Sequence, residues 1–214
     1  MLKNIIATSL VAATLMFSGC GDTEGETRLS AQTAIDSGNF ALAISAIEAK
    51  TDKSDSDNLI LASAHMGEAG FTLVDIVNSL QVQAANPSDD ALTTFRNSIL
   101  SGVTDTSATL TNLTKAIQYY EAVVGTDSNA SNVEELSDTQ LQLGLAHMVK
   151  ISILISDVGS DNAEVASSAN DAFNYISSVG TADIKEDIES MKLEAFGTNA
   201  EITPALIANY KSTL

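Results

Sequence analysis

One cysteine in 214 residues, Cys20, leaves no partner for a disulfide within the chain. Tryptophan is absent and aromatic residues make up only 5% of the chain, so alanine, leucine, isoleucine and valine must fill the interior. Side chains that small favour closely packed helices over a sheet. Only two prolines occur, in Asn86-Pro87 and Thr203-Pro204, and each follows a capping residue as the first position of a helix would. Basic residues are scarce, ten Lys and Arg against 28 Asp and Glu, for a net charge of −18. That balance excludes a nucleic-acid-binding surface, which requires a basic face, and electrostatic docking on anionic headgroups. A glycine-rich phosphate loop, a Gly-x-Ser-x-Gly elbow and a Cys-His pair independent of Cys20 are all missing, so no catalytic residue, cofactor or enzymatic role is expected.

What is present begins with an export signal. Met1–Asn4 carries one positive charge, and Ile5–Phe17 is apolar without any charge. A membrane-crossing helix needs roughly 20 apolar residues, so this run is too short to span and fits a signal peptide. It ends Phe17-Ser18-Gly19-Cys20, which resembles the lipobox of bacterial lipoproteins. The resemblance implies that Cys20 takes a diacylglycerol, that residues 1–19 are removed, and that the new amino group is acylated. Two or more acyl chains anchor a protein stably, so the resemblance implies a domain held at a membrane, not spanning it. Gly21 after the cysteine, where the inner-membrane retention cue would be Asp, implies the outer membrane with the domain facing the periplasm. The expected organisation is a signal at 1–19, a lipidated Cys20 with a flexible tether over 20–26, and one helical domain over 27–214. Loss of residues 1–19 removes Lys3 and no acid, taking −18 to −19.

Beyond the tether, apolar residues recur at spacings of three and four, the helical period. Leu42, Ile44 and Ile47, with Ala43 and Ala46, predict one helix; Leu73, Ile76, Val77 and Leu80 another; Leu110, Leu113, Ile117 and Tyr120 a third. Turns rich in Ser, Asp, Asn, Gly and Thr separate them, as in 51–58 and 125–132. Ile151–Ile155 would suit a strand in isolation, but continues a helical pattern from Glu134. The reading is all-α, with nine or ten helices.

The chain also repeats itself. Residues 43–49 match 116–122 at four of seven positions, and 59–66 match 141–148 at five of eight. The offsets are 73 and 82, so a helix–loop–helix unit occurs twice, the second with a loop nine residues longer. Such duplication predicts stacked helix pairs, each burying its face on the next. Ala34–Ile44 resembles the turn of a tetratricopeptide repeat, with Gly38 at the turn and Ala43-Ile44 in the second helix; Ala62–Phe71 resembles the following repeat, and Lys115–Val124 a second helix again. Gly38 and Gly70 lie 32 apart, near that family's period of about 34. The resemblance implies a stacked antiparallel array that binds a partner in a groove, in the manner of envelope assembly factors or of accessory proteins of solute transporters.

Two further features bear on chemistry. His65 and His147, the only histidines, occupy equivalent places in the two Ala-His-Met copies. Neither has a metal-ligand spacing on its helix, and both are expected to pack between helices with one edge hydrogen bonded. The loop Asp127–Asp138 places oxygens at positions 1, 3, 5, 9 and 12, like a calcium loop, but carries Asn132 where glycine is usual, so no metal is assigned. The expected partners are a membrane, through the lipid, and an envelope protein or transporter subunit; for a solute, Met66, Met148 and Tyr119–Tyr120 would be the lining.

Overall fold

A computed structural model describes residues 23–84, 91–126, 133–157 and 159–214. Among them are ten helices and no strand: α1 (Thr23–Asp36), α2 (Phe40–Glu48), α3 (Asp55–Glu68), α4 (Leu73–Ala84), α5 (Ala91–Leu100), α6 (Thr106–Thr126), α7 (Val133–Ser156), α8 (Asn162–Val179), α9 (Ala182–Phe196) and α10 (Pro204–Lys211). The all-α expectation holds, and Ile151–Ile155 lies inside α7. Thr203 caps α10, its hydroxyl accepting from the Leu206 amide ahead of Pro204 at the first turn. Asn86-Pro87 falls outside the described residues.

Two boundaries and one core residue differ from the sequence reading. The expected tether is helical from Thr23 onward, because the acids Glu24 and Glu26 favour a helix N-terminus and Glu24 pairs with Arg28 one turn later at 3.5 Å. The turn read over 51–58 ends at Ser54, where a reciprocal capping box with Asp57 starts α3. Leu42 is not core: α2 buries Ala43 and Ile47, and leaves Leu42 52% exposed.

The duplicated unit is real in space. α2 packs on α3 as α6 packs on α7, and the helices follow one another as α1, α2, α3, α6, α7, α8, with α9 and α10 closing the far end. Gly38 and Gly70 have φ of +72° and +92°, the left-handed region that glycine enters freely. The next step departs from the expected repeat. After Gly70 the chain bends 61° into α4, and α4 lies against α5, α7 and α9 instead of returning along α3. The place beside α3 is taken by α6. Thus α4 and α5 are an insertion that covers α7 and α9.

The insertion is firmly seated. Phe95 and Leu92 are fully buried in the main core. The Glu194 carboxylate of α9 accepts from the Ala91 amide at 2.9 Å, satisfying an otherwise orphan donor at the start of α5. A smaller cluster of Ala31, Ala34, Ala43, Ile47, Ile60, Leu61 and Ala64 forms a second core at the α1–α3 end.

Small residues set how closely the helices approach. A Cβ at Gly144 of α7 would lie 2.7 Å from Ile176 Cγ1 and 3.3 Å from the Ala172 carbonyl on α8. Gly144→Ala is therefore expected to cost about 1–3 kcal/mol of overpacking, offset in part by the roughly 1 kcal/mol better helix propensity of alanine. A lower urea midpoint checks this; a midpoint that rises would mean that α8 gives way freely.

Candidate functional site

Two places on the molecule have the geometry of a site. The first is the outer edge of the array. Glu26, Leu29, Ser30 and Thr33 recur along one face of α1, and with Ala34, Ser37, Asn39 and Leu42 they line an open groove of about 500 Å³ between α1 and α2. Leu29 is 61% exposed and Leu42 52%. Two large apolar side chains standing clear of the core on one groove form a surface that water covers poorly.

That edge is braced by a buried charge that sequence reasoning missed. Asp57 is 0% exposed. Its carboxylate accepts from Arg28 Nε at 2.8 Å, from Lys50 Nζ, and from both the amide and the hydroxyl of Ser54 at 2.9 Å. Burial alone would push the carboxyl up, but the bonds from Arg28, Lys50 and Ser54 outweigh it and hold it well below the usual carboxylate range. One side chain thereby ties α1, the turn after α2 and the start of α3 together. The signal was legible only in part: Ser54-x-x-Asp57 reads as a cap, but nothing in sequence brings Arg28 and Lys50 to it.

The second place holds the two histidines. His65 is 2% exposed; its ring stacks on Tyr119 at 5.7 Å between centroids, and its Nδ1 lies 2.9 Å from Asn112 Oδ1. His147 is 4% exposed and stacks on Tyr175 at 6.4 Å, but neither of its ring nitrogens has a hydrogen-bond partner. Both are pushed below the ordinary histidine range by burial, which the Asn112 bond opposes at His65; for His147, burial and the nearby Lys150 cation bring the value down to about 4. The expected packing role is met at both, and the expected edge hydrogen bond only at His65. The two rings serve different helix pairs and do not meet.

The remaining expectations divide. Met66, Met148 and Tyr120 are buried in the main core, and Tyr119 is partly covered. Cys20 lies outside the described residues, as do positions 127–132 of the Asp127–Asp138 loop; its remaining residues, from Val133, begin α7. Among the described residues no group of three His, Cys, Asp or Glu is placed to hold a metal ion, and no single helix is long and apolar enough to cross a membrane. Comparison with protein-family models, curated proteins and solved structures finds no match.

Proposed function

We propose that this chain is a lipid-anchored envelope protein that works without catalysis, as a helical scaffold docking a partner protein on the α1–α2 edge. The reading combines two independent supports. The Phe17-Ser18-Gly19-Cys20 sequence would put acyl chains on Cys20, three residues before α1. The open groove with Leu29 and Leu42 exposed lies on that same α1. A partner segment with apolar side chains would bury both leucines, each contributing about 1.5–3 kcal/mol if fully covered, and the anchor would raise the local concentration of two membrane-bound proteins. By the lipobox resemblance the location is the outer membrane on its periplasmic side. A solute-binding role draws no support from Met66, Met148 or Tyr120, which the core occupies.

The groove observation carries the reading, and capture from membranes tests it. Native chain, Leu29→Asp/Leu42→Asp and Cys20→Ser are recovered after crosslinking. The expected result is a partner enriched by the native chain, lost with the double groove variant, and diminished with Cys20→Ser, whose mass should show an uncut, unacylated leader. Equal recovery by the groove variant would remove the α1–α2 edge from the proposal; acyl-free native protein would remove the anchor.

A further inference from the structure

The array is finished differently at its two ends. At the far end α9 shows Asp183, Glu186 and Glu189 on its exposed side, the charged outer face with which a terminal unit of a stacked array meets water. At the near end α1 and α2 pack on one another and on α3, and their outer side lacks that character. Leu29, Ser30 and Thr33 of α1 and Ala41, Leu42 and Ser45 of α2 are all exposed, and none is charged. Of the residues lining the groove between the two helices only Glu26, in the first turn of α1, carries a charge. The chain has 28 acids and ten bases, and this edge holds very few of them.

Charge selects the occupant. A basic partner would find more carboxylates on α9 than here. Two copies of a chain with net charge −18 repel across their acidic faces, and they approach closely only through a face nearly free of acids. The edge is also complementary to itself. Leu29 and Leu42 project beside positions held by Ser and Ala, so knob and hole lie on one surface, as a contact between identical patches demands. The Lys50 ammonium, just past α2, lies 3.8 Å from the Glu24 carboxylate at the start of α1, so the two helices run antiparallel. A two-fold axis parallel to α1 therefore sets α1 of each copy against α2 of the other. Every neighbour is then antiparallel, the arrangement of a four-helix bundle. Both α1 N-termini emerge at the same end, as two chains anchored in one bilayer require.

We infer that the α1–α2 edge binds a second copy of this chain, with α1 and α2 of both copies closing into a four-helix bundle around Leu29 and Leu42. The inference rests on the docking edge of the scaffold reading and deepens it, since the partner seated there is the chain itself. The bundle is short: α2 has nine residues, about 14 Å of helix. A contact of that size gives a weak, exchanging dimer. Anchoring both halves in one membrane favours it by raising their effective concentration. Salt favours it too, because it screens the repulsion between two acidic chains.

The test is sedimentation equilibrium of the full-length chain in density-matched neutral detergent. The native chain is expected to pass from monomer to dimer with rising concentration, and to associate more tightly at higher salt. Leu29→Asp/Leu42→Asp should weaken association at least about a hundredfold, the scale of burying like charges in place of leucines. Leu193→Asp, at another exposed leucine (56%) on α9, should leave it unchanged. Leu29→Lys/Leu42→Lys should be monomeric alone, yet form a heterodimer when mixed with the aspartate variant. Mixing cannot repair a misfolded chain, so that rescue separates contact from stability. A native chain monomeric up to about 1 mM, the range of very weak association, would overturn the second copy, as would a dimer kept by the aspartate variant or variants that stay apart on mixing. If such a monomeric chain still captured a different envelope protein through Leu29 and Leu42, the groove would stand and the second copy would fall.

Discussion

Asp57→Ala is expected to destabilise the chain by about 3–5 kcal/mol, the range for removing one partner from a buried ion pair. The size follows from what is stranded. Arg28 and Lys50 both direct donors at this one carboxylate, and their side chains are 18% and 13% exposed. The Ser54 amide loses its acceptor as well. Against a total stability of about 5–15 kcal/mol for a domain, the loss would unfold the α1–α3 end under mild denaturant. Urea titration checks it, and Asp57→Asn should recover little because the amide cannot serve two cations.

The same carboxylate gives a pH signature with a fixed sign. Its pKa is depressed in the fold, so its stabilisation is present above the unfolded value of about 4 and is withdrawn as the pH falls below it. The histidines act in a higher window. Both are pushed down in the fold, so the unfolded chain takes up protons first, and stability falls from about pH 6.5 downward; for His147 the fall levels off near 4. Two difference curves separate these effects from the general relief of acidic repulsion. Native minus Asp57→Asn should narrow only below about pH 4, and native minus His147→Phe should narrow between about 6.5 and 4. A flat His147 difference would mean that its ring is charged or hydrated in the fold.

Phe95→Ala is the second large effect. The ring is fully buried in the main core, and its removal is expected to cost about 3–5 kcal/mol, a fall of about 6–20 °C in Tm for a chain of this size. The distribution of the loss is as telling as its magnitude. Phe95 belongs to the large cluster, whereas Ala31, Ala43, Ile47 and Ile60 form the separate one. Amide exchange should therefore rise first in α4 and α5 and over the α7–α9 surface they cover, with α1–α3 holding protection longer. The reverse order is expected for Asp57→Ala. Uniform exchange in both variants would show the two clusters to be one cooperative unit.

The helical class was legible because it rests on local rules. Spacing of three and four, small apolar side chains and Thr203-Pro204 each act within a turn or two of the chain, and the structure carries them through. The duplication was legible too, since equivalent burial selects equivalent residues. The candidate sites were much less so. Leu42 matched the apolar pattern and yet stands exposed, because α2 has a neighbour on only part of its circumference at the edge of the array. Asp57 fell within the turn read over 51–58, where nothing local marks it as buried.

Sequence by itself determined that the chain is helical, acidic and internally duplicated, since each property follows from composition or from neighbours in the chain. Only the tertiary structure decided that α6 and not α4 lies beside α3, that α4 and α5 cover α7 and α9, and that Arg28 and Lys50 converge on Asp57. The Arg28 pairing spans 29 residues and the helix pairings span whole helices, while Lys50, only 7 residues from Asp57, reaches it across the turn into α3. They are chosen by which buried faces and charges satisfy one another at a distance, and no local propensity encodes that choice.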